Sequence, residues 1–290
     1  MTPTFYIVDV FGETRYSGNQ LAVFVDCESL SSEEMLQIAR EMNFSETTFI
    51  MSREKRNGGY DVRIFTPGSE VDFAGHPTLG TAYILLKHVV PRPMQNVILN
   101  LKVGQVPVEH NDNLLWMKQV EPKFGAVLPP ERMMAVLNLP ITDFDTRYPV
   151  EEVSTGLHTL IIPLKSLSVL KKVQVHRDEY DRLIEEIEAK SLLVFAPEGY
   201  NPAQTFSVRD FPLFYGIAED PATGSSNGCF AAYLSKHKYL GSTDIDVRVG
   251  QGYEIGRPST LYLKAHQEAG RIHVTVGGNV IPVATGEWGI

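Results

Sequence analysis

Two glycine-containing loops offer the most promising settings for chemistry in this sequence. Gly75-His76-Pro77 and Gly224-Ser225-Ser226 each stand directly before an apolar, small-residue stretch that predicts a helix. Backbone N–H groups at a helix start have no partners inside the helix, and glycine lets a ligand approach the backbone closely. Either loop could be an ordinary capped helix start. Because the arrangement occurs twice, each time beside an ionisable residue, we interpret the loops as candidate carboxylate sites.

Three ionisable side chains accompany these loops. Glu46 precedes an apolar stretch. In an apolar cleft its carboxyl would hold a proton more tightly, as a general acid/base near neutral pH requires. It could also be an exposed glutamate at the start of a strand. His76 could carry a proton or bind a substrate, or it could cap the helix. Asp220 could orient a hydroxyl or amine of a substrate, or it could be a helix cap.

Other kinds of active site have weaker support. The spacing Gly224-Ser225-Ser226-Asn227-Gly228 fits a hydrolase nucleophile elbow, but the preceding Asp220-Pro221-Ala222-Thr223 predicts a loop where that motif needs a strand. The eight histidines form no His-Glu-x-x-His pattern and the two cysteines no Cys-x-x-Cys pair, so no metal site is predicted. No glycine-rich nucleotide motif has the required spacing, and we expect no cofactor.

Composition narrows the class of protein further. Hydrophobic residues make up 43% of the 290 residues and charged residues 21%, which is typical of a globular protein. A net charge of −9 argues against nucleic acid as a partner, although it leaves room for a small anionic substrate. No apolar run approaches the roughly 20 residues that span a bilayer. Cys27 and Cys229 are expected to be buried thiols, and the protein to be cytoplasmic.

Hydrophobic periodicity predicts a chain of short strands interrupted by a few helices. Ser31 and Glu34 have the spacing of a capping box and predict a helix that begins there. Nearly wholly apolar helices are predicted from Pro77 to about Lys87 and from about Ser225 to Lys236, and an amphipathic helix over 177–189. The stretch Glu121–Pro130 carries three prolines and predicts a connector.

The two halves of the sequence follow a similar plan. In each, a glycine turn feeds an apolar strand, and a later glycine-rich loop enters an apolar helix; the order and offset are alike. A helix that is apolar on every side must be enclosed. We therefore predict two like-folded halves of mixed α/β structure, each a curved sheet around one buried helix. The predicted domains are 1–122, with 279–290 packing back on it, and 123–278.

Several motifs of this chain resemble those of the PhzF-like (phenazine-biosynthesis) family, in order and over nearly the whole length. The amino-terminal ones are Gly18-Asn19-Gln20-Leu21-Ala22-Val23, Ala39-Arg40-Glu41-Met42-Asn43 and Ser45-Glu46. The central ones are Arg63-Ile64-Phe65-Thr66-Pro67, Phe73-Ala74-Gly75-His76-Pro77-Thr78-Leu79-Gly80 and Glu219-Asp220-Pro221-Ala222-Thr223-Gly224-Ser225. The carboxy-terminal ones are Gln251-Gly252 and Glu254-Ile255-Gly256-Arg257-Pro258-Ser259.

This resemblance implies an α+β fold of the diaminopimelate-epimerase type, with two pseudo-symmetric β-roll halves, each wrapping a central helix, and the active site between them. It implies a cofactor-independent isomerase that shifts a proton on a small cyclic or unsaturated amino or hydroxy acid, as in isomerisation of trans-2,3-dihydro-3-hydroxyanthranilate, and a homodimer. It further implies that Glu46 is the proton shuttle, with His76 and Asp220 in support, and that substrate is bound by Asn19, Gly75, Gly224 and Ser225. The alternative is a non-catalytic protein that binds small carboxylates, or a regulatory protein, on the same fold.

The chain departs from the epimerases and racemases of this fold at two positions. Those enzymes carry a cysteine at each helix entrance, where this chain has Ala74 and Pro221. Neither side chain can accept or donate a proton. Racemisation by two thiols is therefore excluded on chemical grounds.

Overall fold

The computed structural model describes residues 2–92 and 94–289 and has a mixed, sheet-rich α+β architecture. Contacts divide the chain into two units: Met1–Met117 together with Gly277–Ile290, and Lys118–Val276. We call these unit 1 and unit 2. Most of the predicted strands and all four predicted helices are present.

In its described residues, unit 1 combines nine strands with two α-helices. The strands are β1 Thr4–Val10, β2 Asn19–Val25, β3 Thr47–Ile50, β4 Tyr60–Phe65, β5 Glu70–Val71, β6 Asn96–Leu101, β7 Gly104–Asn111, β8 Leu114–Lys118 and β17 Val280–Glu287. The helices are α1 Ser32–Met42 and α2 Gly75–Ile84, and a π-helical turn, Leu85–Val89, continues α2. β1 pairs antiparallel with β2 and β17, β2 runs parallel to β3, and β4 runs parallel to β6.

Both helices of unit 1 illustrate how local sequence sets their ends. The capping box predicted for α1 is confirmed: Ser31 accepts from the Glu34 N–H, and Glu34 accepts in return from the Ser31 N–H. The buried helix α2 begins at Gly75, two residues before the predicted start at Pro77. Pro77 is tolerated there because the first four helical N–H groups have no partners within the helix. A Cβ added to Gly80 would lie 2.5 Å from the Leu21 side chain, so α2 packs closely on β2.

Unit 2 contains the remaining elements. Its strands are β9 Lys123–Leu128, β10 Val150–Ser154, β11 His158–Pro163, β12 Ser191–Ala196, β13 Phe206–Phe211, β14 Ile245–Gln251, β15 Ser259–Glu268 and β16 Arg271–Gly278. Its helices are α3 Glu131–Leu137, α4 Leu167–Leu170, α5 Arg177–Glu186 and α6 Gly224–Lys236, with single 3-10 turns at Ile141–Asp143 and Leu213–Tyr215. β11 runs parallel to β12, which pairs antiparallel with β13.

The connector predicted over Glu121–Pro130 is wrong in its central part. Residues Lys123–Leu128 form β9, which pairs antiparallel with β10. The three prolines lie outside this strand, one before it and two after it. Proline lacks the N–H that a strand donates, and here it flanks the strand without interrupting it.

The helix α6 is the buried helix that the sheet of unit 2 encloses. It packs against β10, β11, β12, β14 and β15, and nearly all of its residues from Gly224 to Ser235 are buried. Its enclosure explains why the sequence carries small and apolar residues on all of its faces. Among the described residues, no helix is both long enough and apolar enough to cross a membrane.

Candidate active site

Glu46 lies in the turn between α1 and β3. Asn43 ends α1 in the left-handed conformation, with φ 54°, and its N–H donates to the Ala39 carbonyl at 3.1 Å. The chain therefore turns sharply and reaches β3 at Thr47. The Glu46 side chain is only 16% exposed, so its carboxyl is largely shielded from water.

His76, the second residue of α2, is held beside Glu46. Its ring is 7% exposed, and the Gln20 backbone carbonyl on β2 accepts a hydrogen bond from it. Among residues 2–92 and 94–289, the Nε2 atom has no hydrogen-bond partner. We therefore assign Nδ1 as the ring atom that donates to the Gln20 carbonyl. The ring then carries its proton on Nδ1 and directs the Nε2 lone pair away from β2.

The electrostatics of this pair favour a neutral imidazole. Burial lowers the pKa of His76 to about 3, although the hydrogen bond to the Gln20 carbonyl opposes the shift. The Nε2 atom lies 3.4 Å from Glu46 Oε2. A neutral Nε2 and an ionised carboxylate are both acceptors, so a close contact between them requires a proton to share. The arrangement is suited to passing a proton to or from a bound molecule.

Asn19 and Gly75, two of the predicted substrate-binding residues, are sequence neighbours of Gln20 and His76. Asn19 is buried at the start of β2, one residue before the carbonyl that holds His76. Gly75 is the first residue of α2, directly before His76. The N-cap residue Ala74 has no polar side-chain atom, so it cannot cap the N–H groups in the first turn of α2. Backbone amides at such a helix start can bind an anion.

Asp220 lies in unit 2, in the loop that leads into α6, and is 5% exposed. Its N–H donates to the Asp210 carbonyl at 3.0 Å, and its own carbonyl accepts from Gln251 Nε2 at 2.8 Å. The Thr223 hydroxyl donates to Asp220 Oδ2. Next to this loop, Arg209 forms a two-bond ion pair with Glu219, both nearly buried. Asp220 is therefore fixed by its backbone and its carboxylate alike.

Gly224 and Ser225 are the first two residues of α6, as expected for a helix-start anion site. The N-cap residue Thr223 makes no side-chain bond to the first turn of α6, counting the described residues, because its hydroxyl is used on Asp220. Gln251 accepts from the Thr223 N–H at 3.2 Å. The next residue, Gly252, has φ +78°, and a Cβ there would lie 2.6 Å from the Pro221 carbonyl. Only glycine fits this approach.

Sequence reasoning missed four contributors to these two groups. Gln20 acts through its backbone carbonyl, which no side-chain pattern can reveal. Thr223 and Gln251 fall inside quoted motifs but carried no assigned role. Asp210 could have been noticed, because Phe206, Val208 and Asp210 alternate along a buried strand that places a carboxylate where the pattern calls for an apolar residue.

Two weaker ideas can also be compared with the structure. Ser226, the nucleophile of a hydrolase interpretation, is helical, 2% exposed and accepts a bond from Thr159 at 3.1 Å, and residues 221–223 before it are not a strand. Three potential metal ligands meet on the exposed β15–β16 hairpin: His266, Glu268 and His273, with ligand atoms within 4.8 Å of one another. They lie at the opposite end of β15 from Ser259, which pairs with Gln251.

Comparison with known proteins supports one family. The family model described as phenazine biosynthesis-like protein (PhzC-PhzF) matches residues 8–286. The trans-2,3-dihydro-3-hydroxyanthranilate isomerase of Pseudomonas aeruginosa is 34% identical over 288 residues, covering 97% of this chain and 98% of the relative.

Solved structures agree with this result. A PhzF-family phenazine biosynthesis protein from Bacillus anthracis superposes with a TM-score of 0.91 at 25% identity, with both chains covered completely. A probable proline racemase from Agrobacterium radiobacter superposes with a TM-score of 0.62 at 10% identity, covering 100% of this chain and 93% of the racemase, which shows a shared fold. This chain belongs to the phenazine biosynthesis-like (PhzC-PhzF) family and is an isomerase of that family.

Proposed function

We propose that this isomerase moves a proton between carbon atoms of a small cyclic or unsaturated amino or hydroxy acid, with Glu46 as the general acid/base and without a cofactor. The observation that carries the proposal is the buried pair of Glu46 and neutral His76, whose facing atoms are 3.4 Å apart. The name of the Pseudomonas aeruginosa relative supports a compound like trans-2,3-dihydro-3-hydroxyanthranilate as the substrate.

The proposed reaction balances without an external reagent. The Glu46 carboxylate removes a proton from an sp³ carbon of the substrate, and the electron pair of that C–H bond moves into the adjacent double-bond system. Glu46, now protonated, returns the proton to a different carbon, and the double bond ends in a new position. The carboxylate is regenerated, so one group serves as base and then as acid.

His76 supports this transfer through its tautomer. With Nδ1–H held by the Gln20 carbonyl, Nε2 is an acceptor on the side of Glu46. It can accept a hydrogen bond from a hydroxyl or amino group of the substrate, or from protonated Glu46 between the two transfers. An imidazolium at this position would instead hold Glu46 as its counter-ion and weaken it as a base.

The remaining roles rest on the family resemblance. Asp220 is proposed to orient a polar group of the substrate, and Asn19, Gly75, Gly224 and Ser225 are proposed to bind it. The backbone amides at a helix start such as that of α2 or of α6 can bind a carboxylate. Two pseudo-symmetric β-roll halves, the domain limits 1–122 and 123–278, a homodimeric state and a cytoplasmic location belong to the same proposal.

The test is proton exchange in D₂O with trans-2,3-dihydro-3-hydroxyanthranilate, followed by NMR. Wild type should place deuterium on the carbon that receives the proton. Glu46→Gln keeps the shape of the side chain but removes its basicity, and should slow the reaction about 10²–10⁴-fold. Glu41→Gln is the matched control, because Glu41 is exposed near the end of α1, the helix that precedes Glu46, and the substitution should leave the rate unchanged.

Two results would contradict the proposal. Equal deuterium incorporation in wild type and Glu46→Gln would remove Glu46 from the mechanism. Calorimetric binding of small carboxylates with no exchange in any of them would favour the non-catalytic alternative.

A further inference from the structure

A second carboxyl lies behind Asp220, on β13. The Asp210 side chain is completely buried. The backbone carbonyl of Asp210 accepts a hydrogen bond from the Asp220 N–H at 3.0 Å, and the two residues form an isolated antiparallel bridge. Asp210 therefore cannot move independently of the loop that carries Asp220. Neither the general acid/base mechanism nor the anion site at α6 uses it.

Hydroxyl groups from β12 and from the start of α6 surround the Asp210 carboxyl. Ser191 on β12 donates to both of its oxygens, at 2.9 and 3.0 Å. Ser226 in the first turn of α6 and Thr223 before it also interact with it through their hydroxyls. Because the Thr223 proton is donated to Asp220, Thr223 can only accept a hydrogen bond from a protonated Asp210. Thr159 on β11 in turn donates to Ser226 at 3.1 Å. The carboxyl thus connects β13, which carries it, and β12 with the start of α6.

The same surroundings disfavour a charge on Asp210. Burial, and to a lesser extent the neighbouring Asp220, raises its pKa to about 7, although hydrogen bonds to Ser191, Thr223 and Ser226 oppose the shift. Among the described residues, the other titratable groups coupled to it are Tyr215, on the 3-10 turn after β13, and Cys229 on α6; the pKa of both is raised by burial. Both groups are therefore neutral near pH 7 and place no charge beside Asp210.

We propose that Asp210 is a positioning residue of the candidate site: in its protonated form it ties Thr223 and Ser226 beneath the start of α6 and leaves the single negative charge of the pair on Asp220. The inference rests on the proposed role of α6 and Asp220 in binding a carboxylate substrate. Two adjacent buried carboxylates repel each other, as in any closely spaced pair of acids. A charged Asp210 would also occupy the positive potential at the helix start that the substrate's carboxylate needs.

The consequence is a pH limit on substrate affinity. If binding requires protonated Asp210, the dissociation constant rises tenfold for each pH unit above the pKa of Asp210. With that pKa at about 7, the affinity for an anionic ligand falls up to about 30-fold between pH 6 and pH 8.5. The turnover number at saturating substrate should change less, because Asp210 does not contact the reacting atoms.

The test is calorimetric titration of the full chain with benzoate, whose carboxylate stays ionised over this pH range, in parallel with KM and kcat for trans-2,3-dihydro-3-hydroxyanthranilate. Wild type should lose affinity and gain KM as the pH rises from 6 to 8.5. Asp210→Asn should bind within about threefold of wild type at pH 6 and show no such loss. Ser191→Ala removes a donor that favours the ionised form and should shift the midpoint to higher pH.

Ser207→Ala is the matched control for Ser191→Ala. Ser207 is equally a serine on a buried strand of unit 2, but in the described part of the chain its hydroxyl has no hydrogen-bond partner, so its loss should leave the midpoint in place. The inference is overturned if benzoate does not bind, if wild-type affinity is independent of pH, or if Asp210→Asn or Ser191→Ala titrates like wild type. A pH-dependent affinity abolished in Asp210→Asn, in a protein without turnover of this substrate, would sustain the inference and refute the proposed proton shift.

Discussion

The buried neutral state of His76 predicts an unusual response to acid. Its pKa falls from the usual 6.5 to about 3 in the folded protein because burial disfavours the charged ring. Below pH 6.5 the unfolded chain binds a proton on this side chain that the folded chain refuses. Stability therefore decreases as the pH is lowered through this window, and no such loss arises above pH 6.5.

The size of the effect follows from the shift. Each pH unit between 6.5 and about 3 costs the folded state about 1.4 kcal/mol. The unfolded imidazole is already half protonated at pH 6.5, so from there to pH 4.5 the free energy of unfolding should fall by about 2 kcal/mol on account of His76 alone. This is a sizeable part of the roughly 5–15 kcal/mol typical of a domain. His76→Gln removes the titrating group and should remove this part of the decrease.

The assay is urea unfolding of wild type and His76→Gln at pH 7.0, 5.5 and 4.5. The free-energy difference between them should grow in favour of the variant as the pH falls. Glu46→Gln serves as the companion variant: it removes the carboxyl 3.4 Å away but leaves the ring buried, so it should keep a wild-type dependence on His76. Parallel curves for wild type and His76→Gln would refute a buried, neutral imidazole.

Two further changes test what fixes Asp220's loop. Gly252→Ala should lower the free energy of unfolding by at least ~1–2 kcal/mol and reduce activity, because its Cβ would press on the Pro221 carbonyl in a left-handed backbone. Gly256→Ala is the control: its φ is +71° but no atom lies near the added Cβ, so it should cost less and leave activity intact. Urea unfolding and initial rates measure both effects. Arg209→Met leaves the nearly buried Glu219 without its bidentate partner and should cost about 3–5 kcal/mol, whereas adding Glu219→Gln should recover part of the loss in a double-mutant cycle.

Local signals in the sequence were sufficient for much of the fold. The capping box at Ser31 and Glu34 marks the start of α1, because both hydrogen bonds lie within one turn of chain. The buried helices α2 and α6 follow from stretches that are small and apolar on every face. Strand β9 was missed because its partner β10 is more than twenty residues away, at Val150–Ser154. Pairing at that distance leaves no pattern within the strand itself.

The candidate site divides in the same way. Residue types and loop positions identified Glu46, His76 and Asp220 as candidates, and the structure brings Glu46 and His76 together in unit 1. What the types could not show is how each group is held. The tautomer of His76 depends on a backbone carbonyl at Gln20, and backbone carbonyls are present at every residue. The state of Asp210 depends on burial and on hydroxyls from two elements that are distant in sequence, β12 and the start of α6.

Both units place an uncharged titratable group next to the carboxylate proposed to act. In unit 1 burial keeps His76 neutral beside Glu46, and in unit 2 burial and repulsion keep Asp210 protonated below pH 7 beside Asp220. Two acid/base groups, such as the thiol pair of the racemases, are needed when a proton leaves one face of a carbon and returns to the other. A proton that moves between two carbons on one face needs a single group that can accept it and release it. The replacement of thiols by Ala74 and Pro221 therefore fits a shuttle by one carboxyl, with its neutral neighbour setting when that carboxyl holds the proton.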